Sequence, residues 1–66
     1  MNLVELASRI KAARMAKGYT LDRVAEISGL GKGLLSKVEN FRVTPSLPTL
    51  AKVCEALGMS LSELFE

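Results

Sequence analysis

Only three residues, Gly29-Leu30-Gly31, separate two stretches of helical periodicity, and this short link constrains the fold more than any other feature of the chain. Upstream of it, Thr20 stands as an N-cap and Asp22 lies in the first turn, where a carboxylate suits the positive end of the helix dipole. Residues 21–28 then read as a short helix that buries Val24 and Ala25, with Ile27 a further candidate for the inner face. Downstream, a helix starts after Gly31 and runs to about Asn40, with Leu35 and Val38 facing inward and Leu34 at the edge. A glycine-containing link of this length holds its two helices at a steep angle, and Leu30, its one apolar residue, plugs the corner.

The rest of the chain is read the same way. Leu6, Ile10 and Ala13 form the apolar stripe of a helix over 3–17, and Gly18 follows where a left-handed C-cap is wanted. Residues 41–46 form a loop with Arg42, Thr44 and Pro45. Ser46 caps a helix over 47–57, in whose first turn Pro48 costs no hydrogen bond. Leu50, Val53, Cys54 and Leu57 are its core stripe and Gly58 stops it. Ser60-Leu61-Ser62-Glu63 matches a capping box and opens a last short helix carrying Leu61, Leu64 and Phe65. No strand signal, repeat or linker interrupts this pattern. The expectation is an all-α, five-helix domain over residues 1–66, with a helix-turn-helix at its second and third helices.

Size and composition narrow the function. A chain of 66 residues buries only about 60% of the surface its unfolded form exposes. Small domains often rely on disulfides, but Cys54 is the single cysteine, so no internal bridge forms and a reducing cytoplasm is the expected setting. With no histidine and one cysteine, no zinc site can be built from soft ligands. No apolar run approaches the ~20 residues of a membrane span, and residues 1–8 lack the regions of a signal peptide. No nucleophile–base pair or carboxylate pair on one face suggests catalysis. Gly29-Leu30-Gly31-Lys32-Gly33 has neither the spacing nor the preceding strand of a nucleotide-binding loop. The chain therefore reads as a non-enzyme without cofactor or metal, and Cys54 as a small buried hydrophobe. Charge is polarised. Residues 1–37 carry seven Lys/Arg and three acids, net +4, and residues 38–66 carry two Lys/Arg and four acids, net −2. That asymmetry fits one side meeting phosphate, although a solvated surface produces it equally well.

The order of these elements and the residues between them resemble the lambda-repressor/Cro-like helix-turn-helix family, also called the xenobiotic-response-element type. The resemblance rests on Arg9-Ile10-Lys11-Ala12-Ala13-Arg14, Lys17-Gly18-Tyr19-Thr20, Val24-Ala25, Leu35-Ser36-Lys37-Val38-Glu39-Asn40, Thr44-Pro45-Ser46-Leu47 and the stretch from Ala56 to Phe65. It covers nearly the whole chain. Lys32-Gly33-Leu34-Leu35-Ser36-Lys37 followed by Thr44-Pro45-Ser46-Leu47 looks most like members that carry a C-terminal, cupin-type sensor domain. A DNA-binding portion of such a regulator and a stand-alone repressor both fit.

The resemblance implies that helix 21–28 crosses the backbone of double-stranded DNA while helix 32–40 lies in the major groove. Lys32, Gly33 and Lys37 fall where family members place base-reading side chains. Lysine suits the O6 and N7 acceptors of guanine, and Gly33 permits close approach or leaves room for a thymine methyl. Thr20, Ser36, Asn40 and Arg42 are expected at the phosphates, with Lys17 and Arg23 as further candidates. Arg14 and Glu39 occupy positions that pair between helices one and three, an architectural role, and Arg14 has phosphate within reach as a second role. The implied function is a transcriptional regulator, a repressor binding a palindromic operator as a homodimer, with Leu61, Phe65 and their neighbours as the dimer surface. The alternative is a protein-interaction module of the same fold, a bridging factor or antitoxin domain. Such a module tolerates acidic or apolar residues at 32, 36 and 37, so Lys32, Ser36 and Lys37 favour DNA.

Three positions depart from the family pattern. Leu21 replaces a glutamine that contacts the DNA backbone, though helix-start N–H groups can still face phosphate. Gly31 replaces a hydroxyl N-cap at a cost of a few tenths of a kcal/mol. Phe41 replaces a helix-ending glycine; because a left-handed phenylalanine is unfavourable, Asn40 is expected to take that conformation and leave Phe41 partly exposed.

Overall fold

Local capping divides the chain into α1 (Leu3–Ala16), α2 (Leu21–Ser28), α3 (Lys32–Glu39), α4 (Leu47–Ala56) and α5 (Leu61–Leu64). The computed structural model describes all residues, 1–66. α1 and α4 each end one residue earlier than the periodicity suggests, at Ala16 and Ala56. Four of the five helices start on a side chain that accepts from a first-turn N–H. Thr20 accepts from Arg23 N at 3.1 Å, Ser46 from Thr49 N at 3.3 Å, and Ser60 from Glu63 N at 3.0 Å, the last within a complete capping box. Asn2 does the same for α1, accepting from Glu5 N at 2.8 Å. α3 starts on Gly31 without a side-chain cap.

Three helices end alike. The residue two beyond the helix cap donates back to the carbonyl five positions earlier: Tyr19 N to Arg14 O at 3.1 Å, Arg42 N to Lys37 O at 2.9 Å, and Met59 N to Cys54 O at 3.0 Å. This closure is a Schellman motif, and it needs a left-handed residue just before the donor. Gly18 (φ 73°) and Gly58 (φ 68°) supply it for α1 and α4. For α3 the residue is Phe41, with φ 62°. The expectation that Asn40 takes the left-handed conformation is therefore wrong: Asn40 has φ −104°. The reason is the closing hydrogen bond: Arg42 N donates to Lys37 O, which places Phe41, just before the donor, at the left-handed position of the motif. Asn40 instead donates its side-chain amide to Ser36 O at 2.8 Å. Phe41 is left 47% exposed.

Packing follows the apolar stripes. α2 lies on α3 and α4, α1 lies on α3 and α5, and α4 lies on α5. Ile10, Val24, Leu35, Val38, Val53 and Leu64 meet at the centre, each at most 2% exposed. Leu6, Ala13, Ala25, Leu30 and Leu34 flank this cluster half-buried, so Leu30 does fill the corner of the turn. Ala7, fully buried, also faces inward, a position the stripe of larger residues did not single out. Ile27 and Phe65 lie outside the core, 40% and 47% exposed. Arg9 ties α1 to the end of the chain, donating to Leu64 O at 3.1 Å and to Glu66 O.

A left-handed L-residue costs about 1–2 kcal/mol, and glycine removes that strain while adding about 0.5–1 kcal/mol of chain entropy to the unfolded state. Phe41→Gly should therefore raise stability by up to about 1 kcal/mol, seen as a Tm increase of a few degrees in thermal unfolding.

Candidate nucleic-acid interface

Two burials and one ion pair fix how α3 presents itself. Leu35 and Val38 are three residues apart and both point into the core. At the end of the helix, Arg14 from α1 grips Glu39 with two parallel hydrogen bonds, Nε to Oε2 at 2.8 Å and Nη2 to Oε1 at 3.1 Å. The third nitrogen, Nη1, donates to Tyr19 O at 2.7 Å at the corner between α1 and α2. The two side chains are only 14% and 7% exposed. All three guanidinium nitrogens are thus engaged inside the protein, and the suggestion that Arg14 also reaches a phosphate is not supported by its geometry.

With that inner face fixed, Gly33, Ser36, Lys37 and Asn40 follow at the i, i+3, i+4, i+7 spacing of a single helix stripe. Together with Arg42 from the next loop they line one open depression that contains no apolar residue. α3 is eight residues long. That makes it about 12 Å long and about 10–12 Å across, against a B-DNA major groove about 12 Å wide. Asn40 Nδ2 lies 3.3 Å from Ser36 Oγ and so braces one expected contact against the other. A Cβ added to Gly33 would meet nothing within 4 Å, so the fold itself does not require glycine there.

Thr20 and Lys32 lie outside this lining. The Thr20 oxygen is occupied as the α2 cap, which leaves its hydroxyl hydrogen free to donate. The Lys32 ammonium rests on the Asp22 carboxylate, 3.3 Å from both Oδ1 and Oδ2. Sequence reasoning placed Asp22 only as a dipole partner of α2; the ten-residue separation from Lys32 gives no helical-spacing signal for the pair. Leu21 packs half-buried against the core. Of the further candidates, Arg23 pairs with Glu26 on the exposed surface, and the exposed Lys17 side chain passes over Gly58, where an added Cβ would meet its ammonium at 3.2 Å. Cys54 is buried, and burial first and the Glu63 charge second push its thiol above the ordinary range, so it is held as the neutral thiol. No helix is long and apolar enough to cross a membrane.

This arrangement matches a known family. The helix-turn-helix family model matches residues 10–64, and the chain belongs to that family, the lambda-repressor/Cro-like group. It is 39% identical over 57 residues to the HTH-type transcriptional regulator PuuR of Escherichia coli, covering 86% of this chain and 31% of that protein. It is 39% identical over 62 residues to the HTH-type transcriptional regulator SinR of Bacillus subtilis, covering 92% of this chain and 56% of that one. The chain therefore spans about a third to a half of these relatives. Among solved structures, the restriction-modification controller protein C.AhdI of Aeromonas hydrophila superposes with a TM-score of 0.91 at 33% identity, covering 96% of both chains. The controller protein C.Esp1396I, solved as a tetramer on its natural 35-base-pair operator, superposes with a TM-score of 0.90 at 25% identity, covering 96% of this chain and 83% of that one.

Removing one member of a buried ion pair strands the other. Because Arg14 retains some exposure, Glu39→Leu alone should cost about 3 kcal/mol, the low end for such pairs. Replacing both residues with apolar ones (Arg14→Met with Glu39→Leu) should cost clearly less than the two single changes added together. Urea denaturation of the four proteins measures this.

Proposed function

We propose that this chain binds double-stranded DNA sequence-specifically and regulates transcription, with α3 in the major groove and α2 crossing the backbone above it. The observation that carries the reading is the outward stripe of α3, in which Gly33, Ser36, Lys37 and Asn40, joined by Arg42, form one open and wholly polar face. Lysine and arginine donors suit phosphate oxygens and the O6 and N7 of guanine. Serine and asparagine suit phosphate, and the bare Gly33 brings the helix backbone close to the base edges. The role is one of binding rather than catalysis, at the cytoplasmic location of the DNA.

In this reading the chain acts as a repressor and as a homodimer. One copy offers a single eight-residue recognition helix, and two copies on a palindromic operator double the contacts, with half-sites about 34–36 Å apart. The C-terminal region, where Phe65 is exposed beside Leu61, is the proposed dimer surface. In a protein that carries further domains, effector sensing belongs to those domains.

Selection from random duplexes at two salt concentrations tests this. A palindromic motif is expected, with affinity falling steeply with salt and Lys32→Ala relaxing a single base position. Binding without a motif would contradict sequence reading, and a folded protein that binds no duplex at low salt would favour the interaction-module alternative. Gly33→Ala separates stability from binding. Gly33 lies in the first turn of α3, where glycine costs less than at mid-helix, so the change should leave stability equal or raise it by up to about 0.5 kcal/mol, and yet weaken binding to the selected duplex several-fold.

A further inference from the structure

We infer that Asp22 is a specificity-determining positioning residue: its carboxylate holds the Lys32 ammonium at the mouth of the recognition helix and withholds it from phosphate, so that Lys32 reads a base edge. This inference rests on the DNA-binding reading above.

Asp22 is the second residue of α2 and Lys32 the first residue of α3, so the pair spans the turn that joins the two helices. The ammonium lies 3.3 Å from each carboxylate oxygen, centred on the carboxylate rather than hanging from one corner. Both side chains are exposed, Lys32 at 58% and Asp22 at 75%, so the pair sits on the outer surface and is no part of the core. Nothing else steadies Lys32. Its neighbour Gly33 has no side chain, and Gly31 before it provides no cap. An unpaired lysine is a compact charge on a flexible four-carbon stem, so beside DNA the phosphates compete with the base edges for it. A phosphate contact adds affinity but carries no sequence information.

The carboxylate changes this balance. A phosphate approaching Lys32 also approaches Asp22 and is repelled by it, whereas the O6 and N7 of guanine are neutral acceptors that suffer little of that repulsion. The pair thereby moves the Lys32 contribution from general affinity toward discrimination. Arg42, expected at the phosphates, has no carboxylate partner and supplies the phosphate attraction that Lys32 gives up.

The test uses the whole chain, the duplex selected by it, and a random duplex of equal length. Asp22→Asn keeps the shape of the side chain and removes its charge. Affinity for the random duplex should rise, and the slope of log affinity against log salt should steepen by about one, the equivalent of one more phosphate contact. Preference at the base pair that Lys32→Ala relaxes should fall about two- to fivefold, the range of an exposed ion pair. Asp22→Glu should restore most of that preference, and Asp22→Asn should have no effect on it when Lys32 is already alanine. Thermal unfolding of Asp22→Asn checks that the fold is intact. Equal gains on both duplexes with base preference unchanged would make Asp22 a plain repulsive charge and overturn the inference. Loss of preference at a different base pair, one untouched by Lys32→Ala, would make Asp22 a reader in its own right and also overturn it. A wild-type chain that selects no sequence brings down the DNA-binding reading and this inference with it, and is recognised before any variant is compared.

Discussion

The two-pronged grip of Arg14 on Glu39 is the interaction on which the working surface depends. One guanidinium joins the end of α3, the last full turn of α1 and the carbonyl of Tyr19 at the corner leading into α2. A helix of eight residues is too short to be stable by itself and takes its position from what it packs against. Leu35 and Val38 fix its rotation, the grip fixes its far end, and the three-residue turn fixes its start. No buried side-chain nitrogen or oxygen is left without a partner, so the arrangement carries no unsatisfied polar group that would favour a rotated alternative. The outward stripe of α3 is the remainder, the part of the helix that the core has no use for.

Most of the fold was legible in the sequence because most of it is fixed locally. The hydroxyl caps at Thr20, Ser46 and Ser60, the capping box at Ser60 and Glu63, and the glycines at 18, 29 and 58 act over four or five residues, so composition at those positions announces them. The stripes through Ile10, Leu35, Val38 and Leu50 needed only the helical period. What escaped depends on register or on distance. Phe41 turns left-handed against its own propensity, because α3 closes one residue later than a cap at Asn40 would have it, with Arg42 N donating to Lys37 O. Asn2, a capping residue type directly before the helix read from residue 3, is not assigned that role from the sequence, though its side-chain carbonyl oxygen accepts from Glu5 N. The contacts of Arg9 with the end of the chain and of Asp22 with Lys32 join charges that no helical spacing relates.

The outward stripe itself followed from the same argument, since two inward positions settle where the other faces point. What the sequence could not separate is the division of the expected contacts into two groups. Gly33, Ser36, Lys37, Asn40 and Arg42 share one depression, while Thr20 and Lys32 stand apart from it at the starts of α2 and α3. Three positions with a local cost to the fold fall in or beside this region: a glycine in the first turn of a helix at 33, a glycine where a hydroxyl would cap at 31, and a phenylalanine in a glycine conformation at 41. Local choices that disagree with stability tend to gather where a surface is used. Their concentration along a stretch of eleven residues, 31–41, is what the proposed interface would lead one to expect.

The central claim is that α3 meets DNA from the major-groove side, and methylation interference on the selected duplex tests it most directly. Dimethyl sulfate marks guanine at N7 in the major groove and adenine at N3 in the minor groove, so one experiment reports on both. The account predicts that guanine N7 methylation blocks binding in two clusters, about one helical turn apart, while adenine N3 methylation between them is tolerated. Interference confined to adenine N3, or the absence of interference in a duplex the chain still binds, would contradict it.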